Sequence, residues 1–338
     1  MSLPSISIII PVFNVGSYVE DCIRSVMRQT YTGPIECIIV DDCSTDCSIA
    51  IIEQLIAEYD GTIFFHVLHH VQNKGVYAAR NTGMDSAVGE YLFFLDSDDE
   101  ISDNCIEILA EPLITDRFDV IEGKFTDNKG YSSLSSPGSE KVLLRPPLVL
   151  QCYKRLWGVP VWNKLYSASF IRGKQLRFKE AYLAMDILWS FQIACLASTM
   201  CIINKVTYKY NRRDGSLTSP IFFEERKRIP FVFMKEMSEF VSNHHVDNND
   251  VFRLFSYYFY TTTNNFSASQ SEYSLAYKSL RPLFHVPIKS IIKKNRHSIM
   301  GILHDFHYIL PLCVAPYWQY IIYYRLRTLI KKNEESSN

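Results

Sequence analysis

The first hundred residues alternate between short apolar runs and segments with the period of an amphipathic helix, which limits the chain to few folds. The apolar runs are residues 6–12, 35–40, 63–68 and 91–95. Runs of this length that are rich in Ile and Val are typical of strands buried on both faces. Strands joined by single helices form right-handed crossovers, which give a mainly parallel sheet covered by helices. The sequence therefore predicts an α/β fold.

Local signals indicate where helices and loops lie around these strands. Ser17 is followed three residues later by Glu20, which predicts a capping box at the start of the first helix. Residues 123–140 are rich in Ser, Gly, Asp and Asn, and this composition predicts a polar loop or an irregular hairpin. Residues 183–196 have the period of a helix.

Composition excludes several classes of protein. Hydrophobic residues make up 47% of the 338 residues and charged residues 21%, which is typical of a globular chain. The formal net charge is −1, so no overall field favours nucleic acid as a partner. The nine Cys residues lack paired zinc spacings, and no signal peptide is recognised at the start. We therefore expect reduced thiols and a cytoplasmic location.

Polar motifs follow three of the predicted strands, at residues 11–14, 41–46 and 96–99. Ligands of parallel sheets bind beyond the carboxyl ends of the strands. In the last motif, Asp96 and Asp98 point to one side of an extended chain, and Asp99 follows. Mg²⁺ and Mn²⁺ prefer oxygen ligands, commonly one or two carboxylates together with substrate phosphates. The alternative is a solvated turn in which an Asp caps a helix.

Several of these motifs, taken in order, resemble the opening blocks of family 2 glycosyltransferases. The matching segments are residues 8–14, 25–30, 38–46, 73–75, 79–83 and 96–99, with a weaker continuation at 162–166, 186 and 210–218. The resemblance implies a GT-A fold, a nucleoside-diphosphate sugar donor and inversion of the anomeric carbon. A dinucleotide enzyme is disfavoured, because no G-x-G-x-x-G follows the first strand and no P-loop is present.

The resemblance implies a set of donor-binding residues: Pro11, Phe13, Asn14, Asp42, Arg80, Asp96 and Arg212. Asp42 would accept a hydrogen bond from the uracil edge, and an aromatic side chain would stack on the base. Core packing is the alternative for Phe13, and a surface ion pair is the alternative for Arg80. For Arg212, Arg213 and Lys164, which would lie over the diphosphate, the alternative is an ordinary basic surface.

The resemblance also implies a metal site and a catalytic base. Asp98 is the first candidate ligand of Mn²⁺ or Mg²⁺ and Asp99 the second, while Asp96 would serve the ribose or the outer metal shell. Asp186 would be the general base, but Met185 stands where the family usually has an acidic residue. The alternative for Asp186 is an acid favoured by a helix dipole. The Met185 departure also allows a non-catalytic nucleotide-sugar-binding relative that acts as a scaffold.

The resemblance does not cover the last third of the chain. Composition becomes helical and strongly aromatic near residue 220, so we expect a GT-A domain at 1–220 and a helical region at 221–338. Residues 306–332 combine aromatic residues with a basic end, which predicts either peripheral membrane contact or a buried helical core. By family analogy we expect a glycan or lipid-linked acceptor in O-antigen, capsule or lipopolysaccharide synthesis, at the inner face of the cytoplasmic membrane.

Overall fold

The computed structural model describes residues 3–133, 140–146, 148–153, 156–180, 185–213, 223–244 and 246, together with scattered positions between 274 and 318. Backbone contacts divide the chain into two compact units, Met1–Ser219 and Pro220–Asn338.

One mixed sheet organises the described part of the first unit. Its strands are β1 Ile6–Val12, β2 Ile35–Asp41, β3 Phe64–His69, β4 Tyr91–Phe94, β5 Glu100–Ile101, β6 Val120–Asp127, β7 Lys141–Leu144, β8 Lys164–Ser167 and β9 Met200–Tyr210. Its helices are α1 Val19–Met27, α2 Ser48–Glu58, α3 Val76–Ser86, α4 Cys105–Ala110, α5 Leu148–Cys152, α6 Ala168–Gly173 and α7 Asp186–Leu196, with a 3₁₀ helix at Glu111–Ile114.

The strands lie in the order β3-β2-β1-β4-β8-β6-β9-β5, and β7 pairs with β9. Strands β1 to β4 run parallel to one another, as the alternating pattern predicts. Strand β8 then runs antiparallel to both β4 and β6, which gives the second half of the sheet its mixed character. The predicted α/β class is confirmed.

Strand β1 lies at the centre of the parallel half, and all seven of its residues are buried. Its alternate side chains serve opposite faces, because strand side chains have a period of two. Ile8 and Ile10 belong to the main hydrophobic cluster, which also contains apolar residues of α1 and α2. On the other face, a Cβ at Gly83 of α3 would lie 2.4 Å from the Ile9 side chain. Gly83 therefore allows α3 to pack closely against the sheet.

One local prediction is wrong and another is confirmed in one of its two alternatives. Helix α1 begins at Val19 with Tyr18 at the N-cap and no side-chain cap hydrogen bond, so Ser17 does not form a capping box. Within the segment predicted as a polar loop or an irregular hairpin, residues 123–127 belong to strand β6, which is held between β8 and β9. Thr126 then pairs antiparallel with Ser132 across a turn, so the hairpin alternative is confirmed for this part. Three charged side chains of β6 are buried, namely Glu122, Lys124 and Asp127; the carboxylate of Glu122, for example, lies 3.5 Å from the ammonium of Lys164. Residues 134–139 of the predicted loop lie outside the described residues.

The described part of the second unit is helical. It contains α8, Phe223–Asn243, a further helix at Ile288–Lys294 and a 3₁₀ helix at Phe306–Tyr308. Within the described parts of the chain, every helix lacks the length or the hydropathy needed to cross a lipid bilayer. Residues 319–332 of the predicted membrane-contact segment lie outside the described residues.

Candidate donor and catalytic site

The carboxyl ends of β1, β2 and β4 meet at one edge of the sheet, because these strands are parallel and in register. Val12 pairs with Asp41, and Ile9 pairs with Phe94, the last residue of β4. The loop that follows Phe94 carries the acidic cluster, which we define as Asp96, Asp98 and Asp99. The sheet topology therefore places this cluster beside the motifs that follow β1 and β2.

Arg80 connects this cluster to the candidate base. It lies on α3 and is 3% exposed. Its Nη2 donates to Oδ1 of Asp96 at 2.6 Å, and its Nη1 donates to Oδ1 of Asp186 at 2.9 Å. The rings of Tyr77 and Phe178 each lie with their centroids 5.5 Å from the guanidinium carbon. The surface-pair alternative for Arg80 is wrong, since the guanidinium is buried beside two rings and holds two carboxylates.

Asp186 is the first residue of α7, and Met185 occupies the N-cap. The Asp186 side chain keeps a quarter of its surface exposed. Burial raises the pKa of this carboxyl above the ordinary value, and the charge of Arg80 opposes the rise. The Met185 side chain is buried, and its backbone N–H donates to the Tyr77 hydroxyl at 2.8 Å. The position of Asp186 at the start of α7 agrees with the alternative of an acid favoured by the helix dipole. Its carboxylate also shares the guanidinium of Arg80 with Asp96 of the acidic cluster.

The environment of Asp99 is that of a residue that stabilises the fold. It is fully buried, and its two carboxylate oxygens accept from the Tyr208 hydroxyl at 2.6 Å and from the Asn211 backbone N–H at 2.7 Å. Burial and the charges of Asp96 and Asp98 raise its pKa well above the ordinary value. Asp99 therefore fixes the loop after β4 onto the end of β9.

Asp98 is the more accessible of the two predicted metal ligands. Its side chain is partly exposed, and its Oδ2 forms an ion pair with Nε of Arg213. Burial and the charge of Asp96 raise its pKa, and Arg213 opposes this rise. The Arg213 guanidinium also lies over the ring of Tyr18, with its carbon 5.4 Å from the ring centroid. A cationic side chain thus balances the excess negative charge at Asp98.

The donor atoms of the acidic cluster fit a hard divalent cation that also binds substrate oxygens. Among the described residues, no three His, Cys, Asp or Glu side chains are arranged to hold a metal ion by themselves. Asp96 and Asp98 are both partly exposed carboxylates. Because Mg²⁺ and Mn²⁺ are commonly held by one or two carboxylates plus phosphate and water, this donor set is compatible with such an ion.

Asp42 closes the loop that precedes α3. Its carboxylate accepts from the backbone N–H groups of Lys74 at 2.8 Å and Gly75 at 2.7 Å. Nδ1 of His70 lies 2.7 Å from the same carboxylate. Gly75 has a φ of 89°, a conformation that disfavours residues with a Cβ. The Asp42 side chain is almost fully buried, so the structure assigns it an internal role, and its predicted uracil contact stays a prediction.

The other predicted donor residues lie at the end of β1. Pro11 is buried within the strand. Phe13 is 45% exposed, which rules out the core-packing alternative. Asn14 has a φ of 51°, and its side-chain oxygen accepts from the Thr45 backbone N–H at 2.8 Å. These contacts join the loops that follow β1 and β2 and leave the Phe13 ring open to a ligand.

Comparison with known proteins gives the family. The family model described as "Glycosyl transferase family 2" matches residues 7–172. Glycosyltransferase GlyG of Streptococcus pneumoniae is 30% identical over 252 residues, a match that covers 70% of this chain and 80% of GlyG. The chain belongs to glycosyltransferase family 2.

Two further comparisons concern another relative in sequence and a solved structure. Glycosyltransferase GlyA of Streptococcus pneumoniae is 32% identical over 63% of this chain, and the match spans only 31% of the length of GlyA. Among solved structures, the crystal structure of S. aureus TarS 1-349 in complex with UDP has a TM-score of 0.71 at 19% identity. That match covers 97% of this chain and 92% of the TarS chain. The likeness in structure confirms the predicted GT-A fold.

The basic residues of this family 2 chain are arranged differently from the prediction. Arg212 is half-exposed, and its Nε donates to Oδ2 of Asp127 at 2.5 Å. Its neighbour Arg213 contacts the acidic cluster instead, through Asp98. Lys164 does not lie on a basic surface, because it is buried and its ammonium donates to the Pro160 carbonyl. The donor role of Arg212 stays a prediction.

Sequence reasoning missed several residues of the site. Tyr77 lies three residues before Arg80 on α3, so the helical i, i+3 spacing could have identified it. Phe178 forms the second ring beside Arg80, but it lies in an irregular segment far along the chain. Tyr208 and Asn211 hold Asp99 because β9 pairs with β5, and nothing local in the sequence indicates that long-range pairing.

Proposed function

We propose that this family 2 chain transfers a sugar from a nucleoside-diphosphate donor, a UDP-sugar, to a hydroxyl of a glycan or lipid-linked acceptor, with inversion at the anomeric carbon. The observation that carries the proposal is the link that Arg80 makes between Asp96 and Asp186. It brings a candidate base at a helix start beside a candidate donor site at the sheet edge. The TarS structure was solved with UDP, which supports the choice of nucleotide.

Asp186 would be the general base. A quarter of its side-chain surface is exposed, so an acceptor hydroxyl can reach the carboxylate. As the acceptor oxygen bonds to the anomeric carbon, Asp186 takes the hydroxyl proton, and the bond from that carbon to the diphosphate oxygen breaks with its electron pair. Attack from the face opposite the leaving group inverts the configuration. A positioned base of this kind contributes about 10²- to 10⁴-fold to a rate.

Asp98 would hold Mn²⁺ or Mg²⁺, with Asp96 in the outer shell or on the ribose. When bound, the ion supplies positive charge to the diphosphate oxygens of the leaving group. Asp99, the second predicted ligand, has both oxygens hydrogen bonded inside the protein. We therefore assign Asp99 to orienting the loop, and Asp98 to the metal.

The donor would lie across the loops after β1 and β2. Phe13 offers an exposed aromatic face for the nucleobase, with Pro11, Asn14 and Asp42 supporting these loops. Arg213 pairs with Asp98 of the acidic cluster, so its guanidinium could contact the diphosphate after releasing Asp98. Arg212 is the preceding residue of the chain. Cationic side chains here would stabilise the leaving phosphate and exclude water, which otherwise competes as acceptor.

The acceptor and pathway follow from family analogy. We propose polysaccharide assembly of the O-antigen, capsule or lipopolysaccharide type, with residues 306–332 meeting a membrane surface that carries a lipid-linked acceptor. A second candidate, a scaffold that binds the nucleotide sugar without transfer, is favoured by one observation. Met185 replaces the usual acidic neighbour of the base, and its side chain is buried.

A transfer screen tests the proposal. UDP-sugars are offered with Mn²⁺ to lipid-linked and free monosaccharide acceptors, products are detected by mass spectrometry, and the anomeric configuration is read by NMR. We expect one donor–acceptor pair to give a product with inverted configuration. Binding of UDP-sugars with no product across the panel would favour the scaffold, and retention of configuration would overturn the assigned mechanism.

A further inference from the structure

Asn211 directly follows β9 and contacts two residues of the acidic cluster through different atoms. Its backbone N–H donates to Oδ1 of Asp99 at 2.7 Å. Its side-chain Nδ2 donates to the backbone carbonyl of Asp98 at 3.0 Å and to Oε1 of Glu100 at 3.3 Å. An amide nitrogen carries two hydrogens, so one side chain can make both of these bonds. Asn211 therefore binds three consecutive residues of the chain.

The contact with Asp98 completes the hydrogen bonding of one peptide unit. The carbonyl of Asp98 and the N–H of Asp99 belong to the same peptide bond, which is planar. The N–H donates to the carbonyl of Asp96 at 3.0 Å, and the carbonyl accepts from Asn211. Because both ends of this plane are held, the unit cannot rotate without breaking a hydrogen bond. The unit adjoins the Cα of Asp98 and so limits where the Asp98 carboxylate can reach.

The position of Asn211 is itself fixed by the turn that follows β6. Asn128 in this turn pairs twice with the backbone of Arg212, since its Nδ2 donates to the Arg212 carbonyl at 3.1 Å and its Oδ1 accepts from the Arg212 N–H at 3.1 Å. The backbone N–H of Asn128 donates to the Tyr210 carbonyl at 3.3 Å. Both chain neighbours of Asn211 are therefore tied to another part of the sheet.

The loop after β4 needs anchors because it concentrates like charges. The three carboxylates of the acidic cluster lie within four residues and repel one another when ionised. The carboxylate of Asp96 is held by Arg80, and that of Asp99 by Tyr208. Asp98 is the residue whose carboxylate we assign to the metal. A hydrogen bond to its backbone holds Asp98 without occupying the atoms that would bind the ion.

We propose that Asn211 is a positioning residue for the metal site: it holds the backbone of Asp98 so that the carboxylate stays directed at the donor site when it exchanges Arg213 for the ion. The metal role of Asp98 rests on the proposed function. Because Asn211 binds the carbonyl, its hydrogen bond persists in both states. Arg213 cannot do this task, since it pairs with the carboxylate itself and is displaced when the metal binds.

Metal binding measures the effect of the side chain. Asn211→Ala removes the side-chain donor and keeps the backbone N–H that binds Asp99, so the fold should persist. Binding of Mn²⁺ to the full chain in the presence of UDP is followed by electron paramagnetic resonance of the free ion. We expect an affinity about 2- to 10-fold below that of the wild type, the effect of losing one ordinary hydrogen bond. An affinity equal to that of the wild type overturns the proposal.

Asn128→Ala is the matched control. The Asn128 amide also donates to a backbone carbonyl, but that carbonyl belongs to Arg212 and not to the acidic cluster. We expect the Mn²⁺ affinity of this variant to match the wild type. An equal loss of affinity in the two variants would show that any loosening of this region weakens the metal site, which contradicts a specific role for Asn211.

Hydrogen exchange without metal tests the anchoring itself. Because Asn211 holds one end of the peptide unit, the Asp99 N–H should exchange faster in Asn211→Ala and at the wild-type rate in Asn128→Ala. The Arg212 N–H, which loses its acceptor in Asn128→Ala, should show the reverse. Mass spectrometry with fragmentation to single residues resolves the two amides. An unchanged Asp99 rate in Asn211→Ala would rule out the anchor.

Activity provides a separate readout. With an active donor–acceptor pair, Asn211→Ala should be slow at low Mn²⁺ and should return to the wild-type rate as Mn²⁺ is raised, because the defect lies in the affinity for the ion. A defect that persists at every Mn²⁺ concentration, with a lowered Tm, would show a purely structural role and overturn the proposal. If the wild type binds no Mn²⁺ or transfers no sugar, the proposed function fails, and the exchange measurement still decides whether Asn211 holds the loop.

Discussion

Arg80 and Asp186 form a buried ion pair between residues that are 106 positions apart, with Nη1 of the arginine 2.9 Å from Oδ1 of the aspartate. The pair ties the first helical turn of α7 to the face of α3 that packs beside the acidic cluster. Asp96 shares the same guanidinium. One arginine thus sets the spacing between a candidate base and a candidate donor site.

Removing Arg80 should destabilise the protein strongly. Arg80→Gln leaves two carboxylates without their shared cation, and breaking a buried pair in this way costs about 3–5 kcal/mol. Urea unfolding measures the loss. Arg177→Gln is the control, because Arg177 also makes two bonds to one carboxylate, Asp85, but half of its side chain is exposed. Its loss should cost at most about 1 kcal/mol. Equal costs for the two variants would contradict the account.

Arg213 should compete with a divalent cation for Asp98. The guanidinium pairs with the carboxylate that we assign to the metal, so an incoming ion must displace it. Arg213→Gln should therefore bind Mn²⁺ several-fold more tightly without nucleotide, as measured by electron paramagnetic resonance of free Mn²⁺. Arg212→Gln is the control, because Arg212 pairs with Asp127, and its Mn²⁺ affinity should match the wild type. Weaker Mn²⁺ binding in Arg213→Gln would contradict the competition.

The reaction should slow as the pH falls through a raised aspartate pKa. Burial raises the pKa of Asp186 above the ordinary value of about 3.9, and only its ionised form can accept a proton. The acidic limb of kcat/KM against pH should accordingly lie above that value, with activity present above the limb and lost below it. A limb at or below the ordinary aspartate value would show that Asp186 is not the titrating base.

Replacing Asp42 should change the stability of the protein and its affinity for UDP differently from replacing the neighbouring Asp41. Asp42→Ala removes the charged acceptor of two partly buried backbone N–H groups, of Lys74 and Gly75, and a hydrogen bond to a charged group contributes about 1.5–3 kcal/mol. We expect a clear loss of stability in urea unfolding and weaker UDP binding by calorimetry. Asp41→Ala is the control, since Asp41 accepts from Ser44 and contacts the exposed His69. UDP affinity unchanged in Asp42→Ala would refute the uracil contact.

The sequence predicts the parallel half of the sheet and its polar edge because both depend on local patterns. Apolar runs define β1 to β4, and parallel pairing brings the motif ends together. The mixed half depends on pairings between distant strands, such as β6 between β8 and β9, which no local pattern indicates. For this reason the composition of residues 123–127 predicts a polar loop or hairpin where β6 continues.

The site residues show the same difference between local patterns, which the sequence reveals, and long-range contacts, which it does not. Asp96 and Asp98 are recognisable because they follow an apolar strand, and Arg80 because it lies in an ordered motif. The partners that decide their roles come from elsewhere in the chain. Asp99 is fixed by Tyr208, 109 residues away, and Asp98 by Arg213, 115 residues away. Residue type and spacing therefore indicate the chemistry, whereas tertiary contacts determine which acid is accessible.

The rate of sugar transfer by Asp186→Asn, measured beside its affinity for UDP and Mn²⁺, tests the central claim most directly. The amide keeps the shape of the side chain but cannot accept the acceptor proton. We predict a rate lower than the wild type by about 10²- to 10⁴-fold, with UDP affinity within about threefold, since Asp96 and Asp98 are intact. Transfer by Asp186→Asn at a rate close to that of the wild type would contradict the account.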